Sequence, residues 1–118
     1  MTTFVEPIDR GSGAAAFDFL RSGGALTLAF SDAAGVEQPV GRVQAGLNAW
    51  MIFEGPTPQL LYKQRIDLAS EDEAIVRKVW LLQGDTVLAF ANLRADILVA
   101  PALPVAIAEL TILLTLAP

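Results

Sequence analysis

The chain has 118 residues, which is enough for one domain. Hydrophobic residues, not counting glycine, make up 53% of it. This exceeds the roughly 45–50% typical of soluble domains, a range in which glycine is counted. Charged residues make up only 18%. This composition excludes an intrinsically disordered chain, which is poor in hydrophobic residues and rich in charge. The net charge of −5 disfavours binding to nucleic acid or to an anionic membrane surface.

Two residue types that carry much enzyme and metal chemistry do not occur in the sequence. The chain has no cysteine, which excludes a disulfide scaffold, a thiolate nucleophile and a cysteine-based zinc site. It has no histidine, which removes the commonest general base and the commonest metal ligand. P-loop and dinucleotide-binding motifs are missing as well. We therefore expect no catalytic residues, no metal and no cofactor.

The first twelve residues, from Met1 to Ser12, are predicted to form an extended N-terminal arm. Pro7 opposes a helix in this segment. Glu6 lies where a signal peptide needs basic residues, so we predict no signal peptide. Residues 13–118 show no shift in composition and are predicted to form a single β-rich domain.

The segment that follows the arm has two interpretations. Ala14 to Arg21 fits a short helix that Ser12 and Gly23 cap, or equally a strand that leads into a hairpin. The next segment, Ala25 to Phe30, is predicted to be a strand because leucine and phenylalanine alternate there with smaller residues. Residues 31–35 form a turn-like cluster of serine, aspartate, alanine and glycine.

The middle of the chain also favours strands. Val36 to Val43 is predicted to be an edge or irregular strand, because Pro39 has no amide to donate in a central ladder. Ala49 to Phe53 is a compact apolar run rich in strand-forming residues. Leu60 to Leu68 alternates between apolar and polar residues, which predicts a half-buried strand.

The segment from Ser70 to Gly84 is ambiguous. Ser70 and Glu73 form a capping-box pattern, and apolar residues follow at helical spacing. The same residues are mostly β-branched or aromatic, which favours a strand. Gly84 and Asp85 then resemble a tight turn into a second strand at residues 86–90. We favour the hairpin over the helix.

The C-terminal part is apolar but is interrupted by prolines. Asp96 to Val99 is predicted to be a short strand, and Pro101 and Pro104 to form a corner. The prolines leave too short a run for a membrane-spanning helix, which needs about 20 apolar residues. Leu110 to Leu116 is predicted to be a terminal strand in which Leu113 projects from the face opposite its apolar neighbours.

Together these segments predict a mainly β protein. Short strands with turn signals about every ten residues are typical of an antiparallel β-sandwich or a jelly-roll-like barrel. We expect about seven to nine short strands, with one short helix as an option and an extended N-terminal arm.

The composition also predicts that the chain assembles with other subunits. A domain of this size buries only about 60–70% of the surface of its unfolded chain, so a monomer would expose apolar patches that are typical of interfaces. A terminal strand with an unpaired edge is a natural pairing site. We predict a homo-oligomer, with a trimer as one option, that contacts its neighbours through the arm and the terminal strand. The predicted interface residues are Phe4, Val5, Ile8, Leu110, Ile112, Leu113, Leu114 and Leu116.

Two resemblances to known proteins follow from these patterns. Leu82 to Val87 resembles the strand, Gly-Asp, strand corner of jelly-roll proteins of the TNF/C1q-like and cupin groups, although the metal-binding histidines of cupins have no counterpart here. The short arm, the compact β pattern and the apolar tail resemble small structural proteins of tailed bacteriophages, such as head decoration or cement proteins.

The second resemblance implies a non-enzymatic virion component that clamps neighbouring subunits. It implies other virion or shell proteins as partners, assembly in the host cytoplasm, and no role for nucleic acid or membrane. An alternative is a β-sandwich module that binds carbohydrate or a host surface, which would need exposed aromatic residues, Trp50 or Trp80 among them. Their apolar neighbours favour a core role for both.

Overall fold

The structure, a computed structural model, describes residues 12–53 and 59–115. Within these ranges the chain forms an α-helix, a short 3-10 helix and seven strands. The helices are α1 (Ser12–Arg21) and the 3-10 turn Leu47–Ala49. The strands are β1 (Leu26–Ser31), β2 (Val43–Ala45), β3 (Trp50–Phe53), β4 (Gln59–Leu68), β5 (Ala74–Gln83), β6 (Thr86–Val99) and β7 (Val105–Thr115).

The strands form two antiparallel sheets. The first sheet has four strands in the order β2-β1-β5-β6, and the second has three strands in the order β3-β4-β7. Both sheets contribute side chains to one common core. The described strands therefore form an open sandwich rather than a closed barrel, and the prediction of a mainly β fold is confirmed.

The core lies between the sheets because apolar residues alternate along the strands. In β1, Leu26, Leu28 and Phe30 are buried in this core. In β4, Leu60, Tyr62, Ile66 and Leu68 face the same core from the opposite sheet. This period of two is what places one side of each strand in the interior.

The segment after the arm is a helix, which confirms one of its two interpretations. Ala16 and Leu20 of α1 are buried in the core of the sandwich, one turn of helix apart. The chain leaves the helix at Gly23, which has a φ of 94° that side-chain-bearing residues rarely adopt. The Gly24 amide donates to the Phe19 carbonyl at 3.0 Å, which satisfies a carbonyl of the last turn.

The ambiguous segment is a hairpin, as the favoured interpretation predicted. Gln83 pairs with Thr86, so the connection between β5 and β6 has two residues. Gly84 has a φ of 61° and Asp85 has no positive φ, which is the pattern of a type II′ turn. The β-branched composition therefore outweighed the capping-box signal at its start.

Strand β6 differs from the prediction because it is continuous. Separate strands were expected at residues 86–90 and 96–99, yet β6 runs through both. Its pairing with β5 shifts between Val76 and Lys78, where β6 carries extra residues. Arg77 holds this bulge, since its Nε donates to the Leu93 carbonyl at 2.9 Å. This hydrogen bond lies at the register shift between the two segments that were predicted as separate strands.

The expected strand over residues 36–43 is mostly loop. Asp32 accepts hydrogen bonds from the Ala34 and Val36 amides through Oδ1, at 3.0 and 2.9 Å, and this side chain closes the predicted turn. Isolated bridges at Val36 and Glu37, the latter with Ser31, follow before β2 begins. Pro39 lacks an amide and cannot extend this pairing.

The terminal strand β7 begins earlier than predicted, immediately after the corner at Pro104. It pairs with β4 from Val105 to Thr115, with one shift in register between Gln64 and Ile66. No helix within the described ranges is long and apolar enough to cross a membrane.

Candidate assembly surface

An apolar row crosses the solvent-facing side of the three-stranded sheet. Met51 of β3 pairs with Leu61 of β4, and Leu61 pairs with Leu113 of β7, so the three residues stand side by side. Met51 is 48% exposed and Leu113 is 56% exposed, whereas Leu61 between them is half-buried. We call Met51, Leu61 and Leu113 the outer row.

The outer row faces solvent because its sequence neighbours face the core. Trp50, Tyr62 and Ile112 are buried between the sheets and precede or follow the residues of the row. Successive side chains of a strand point to opposite faces, so the row must lie outside. Leu113 therefore projects away from the core, as the alternation of the terminal strand predicted.

Phe53 enlarges this apolar surface. It lies two residues after Met51 on β3, hence on the same face, and is 48% exposed. Together with the outer row it presents on the order of 400 Å² of apolar surface, within the range of the largest patch on a typical monomer, which is often functional. Elsewhere, Ile75 and Leu98 form a smaller exposed apolar pair across β5 and β6.

Charged residues border the apolar surface at its far end. Lys63 lies two residues beyond Leu61 on β4, and its Nζ is 3.8 Å from Glu109 Oε1 of β7. Arg65 and Asp67 form a second exposed pair, with 3.1 Å between Nη2 and Oδ1. Exposed pairs of this kind add little stability. An apolar centre with a charged rim is the usual arrangement of a protein–protein interface.

The predicted interface residues fall into four groups. Leu113 lies in the outer row, whereas the side chains of Leu110 and Ile112 are buried in the core of this chain. They face inward because they alternate with Leu113 along the strand. For Leu114 the structure gives the backbone position, which is paired with Leu60 of β4. The remaining predicted residues, Phe4, Val5, Ile8 and Leu116, lie outside the described residues.

Both tryptophans are buried, which confirms their predicted core role. Trp50 is 5% exposed and packs against Tyr62 with ring centroids 5.3 Å apart. Trp80 is 1% exposed, packs against Phe90 with centroids 4.8 Å apart, and donates from Nε1 to Ser31 Oγ at 2.6 Å. Neither indole is available to stack on a sugar.

The acidic residues in the described part of the chain form no shared cluster. Glu71, Asp72 and Glu73 lie on the exposed connection between β4 and β5, where the Ser70 hydroxyl accepts a hydrogen bond from the Asp72 amide at 3.2 Å. Among the described residues, no three acidic side chains are grouped closely enough to hold a metal ion.

Burial raises the pKa of the Tyr62 phenol above its ordinary value.

A groove of about 510 Å³ runs between β6 and β7. Asn92 and Arg94 line it from β6, and Glu109 and Thr111 line it from β7. The groove separates the edge strands of the two sheets, so the sandwich is open along this seam.

The chain matches no protein-family model, no curated protein sequence and no solved structure at a significant level.

Proposed function

We propose that this chain is a non-enzymatic structural protein that assembles with other subunits through the outer face of its three-stranded sheet. The outer row carries this proposal, because three apolar side chains in register form a continuous surface that the fold leaves uncovered. Its mechanism is the burial of apolar area, without a chemical step.

The size of the surface indicates what kind of assembly it supports. Burying about 400 Å² of apolar surface is worth about 10 kcal/mol at roughly 25 cal/mol per Å². Association costs an estimated 4–15 kcal/mol, so one such contact is weak by itself. Contacts that repeat over a regular lattice reinforce one another, because each additional contact is formed at a high effective concentration. A shell of many subunits therefore suits this surface.

Within this class, we propose a viral capsid decoration protein or another virion component that clamps neighbouring subunits. The small sandwich, the expected N-terminal arm and the resemblance to head decoration proteins support the proposal. Its partners would be further copies of this chain, for which a trimer is one option, and other shell proteins. The arm contacts remain a prediction, since residues 1–11 lie outside the described part of the chain.

The assembly part is tested by introducing a charge into the outer row. We expect the wild-type protein to self-associate as its concentration is raised through the micromolar range, and Leu113→Glu to stay monomeric over the same range, because a buried unpaired carboxylate opposes association. Leu103→Glu is the matched control, since Leu103 is 59% exposed on the connection between β6 and β7 and is not part of the row. Light scattering after gel filtration, repeated over a series of protein concentrations, measures the outcome. A monomeric wild-type protein would contradict the proposal.

The virion part is tested by the genes beside the coding sequence and by the composition of particles. Capsid, portal or tail genes as neighbours, with the chain present in purified virions, would support it. A location in a metabolic operon, together with absence from particles, would contradict it and leave the assembly proposal intact.

A further inference from the structure

We infer that β7 pairs edge to edge with β7 of a second copy, antiparallel across a two-fold axis at Leu113. This inference rests on the proposed function, which requires other subunits but does not say where a second copy binds. The pair would join two three-stranded sheets into one continuous sheet of six strands.

The four sheet edges within the described chain differ in how well they are protected. Edge strands β2 and β3 have only three and four residues, which is too short to serve as a pairing template. Edge strand β6 is interrupted by its bulges, beside which Arg94 and Asp96 are exposed. Bulges and charges of this kind prevent pairing with another chain.

The edge of β7 lacks this protection from Leu110 to Thr115. These residues pair one by one with β4 without a shift in register, so the strand is regular. The segment contains no proline, no glycine and no charged residue. Short segments with high β-propensity and low charge are prone to pair with other strands. Among the four edges, β7 is therefore the one best suited to strand addition.

The outer edge of β7 around Leu113 is open among the described strands. The groove between β6 and β7 is lined from β7 by Ile107, Glu109, Leu110 and Thr111, so it lies at the end of this edge away from Leu113. The described strands place no neighbour on this side of β7, because β4 is its single partner in the sheet. An incoming strand can therefore reach the free amides and carbonyls of β7.

The outer row selects the register. In a two-fold antiparallel pair, directly opposite residues share a face, so the axis passes through a residue. With the axis at Leu113, the outer rows of both copies join into one row of six apolar side chains. With the axis at Thr111, Leu113 would lie opposite the carboxylate of Glu109. The axis at Leu113 also keeps the two Glu109 side chains roughly 27 Å apart, beyond the screening length at physiological salt.

The contact area indicates how stable the pair is. The paired edge of five residues, 111–115, is roughly 17 Å long and buries on the order of 300 Å² per copy. Standard interfaces bury about 800 Å² per partner, so we expect the pair to dissociate on dilution. The doubled outer row would remain available to other shell subunits.

A single introduced cysteine tests both the pairing and its register. The chain has no cysteine, so Leu113→Cys carries the sole thiol of the protein. At the axis, the two Cα atoms would lie about 4.5–5.5 Å apart, within the range of a disulfide. We expect this variant to form disulfide-linked dimers under mild oxidation at least tenfold faster than two control variants. The controls are Thr111→Cys, whose thiols would be separated by roughly 14 Å along the strands, and Leu103→Cys, which is exposed elsewhere.

A second measurement uses the unmodified protein. Amide hydrogen exchange of residues 110–115 should slow as the protein concentration rises, because pairing protects the edge amides. An oligomer whose Leu113→Cys variant cross-links no faster than the controls would overturn the pairing and leave the assembly proposal standing. Exchange that is independent of concentration would overturn the pairing as well. A wild-type monomer would overturn both.

Discussion

The same substitution at two leucines separates the role of the core from that of the outer row. Leu28 of β1 is fully buried in the sandwich, whereas Leu113 of β7 is 56% exposed. Leu28→Ala removes buried methyl groups and leaves a cavity, which costs about 2–5 kcal/mol of folding stability. Leu113→Ala removes groups that the folded monomer leaves largely in water, and we expect about 0.5 kcal/mol or less.

Urea unfolding measures both effects, provided that the protein concentration is low enough for the wild type to be monomeric. Under that condition the midpoint should fall strongly for Leu28→Ala and hardly at all for Leu113→Ala, with unchanged slopes. At higher concentration the difference between the stability losses of the two variants should narrow. Association then stabilises the wild type but not Leu113→Ala, so the loss measured for Leu113→Ala increases. A loss for Leu113→Ala as large as that for Leu28→Ala, at low concentration, would refute the assignment of Leu113 to an interface.

Two further predictions concern the core and a turn. Burial raises the pKa of Tyr62 above 10.0, so the stability it contributes is complete below pH of about 10 and is lost as the pH rises toward the raised value. Tyr62 is the one tyrosine of the chain, so an ultraviolet absorbance titration reports it alone, and Tyr62→Phe should remove this component of alkaline unfolding. Gly84→Ala should cost about 1–2 kcal/mol in thermal unfolding, because Gly84 has a φ of 61°. Gly46→Ala is its control, with a φ of −77° and equally open space, and should be nearly neutral.

Much of the fold could be predicted because local patterns agreed with it. The alternation over Leu60 to Leu68 predicted β4 closely, and β-branched residues with a Gly-Asp turn predicted the hairpin of β5 and β6. Other features depend on tertiary contacts. At the bulge of β6, Arg77 binds a carbonyl 16 residues away in sequence, and no local pattern indicates this contact.

The candidate surface was only partly predictable for the same reason. The alternation of the terminal strand correctly placed Leu113 on the face opposite Leu110 and Ile112, whose side chains lie in the core. Met51 and Leu61 were not identified. Their membership of the row follows from the pairing of β3 with β4 and of β4 with β7, and such register is not visible in a single sequence.

The hydrophobic composition alone does not establish that the chain needs partners, because the four-stranded sheet buries apolar residues on both faces. All six residues of β1 are buried, and Ala29, Trp80 and Leu82 form a second apolar cluster on the side of the sheet away from the main core. A single sandwich therefore hides more apolar surface than a sheet with one solvated face would. The argument for assembly rests instead on where the exposed residues lie. In the three-stranded sheet they stand in register and end at an unprotected edge, whereas scattered exposed leucines would need no partner to explain them.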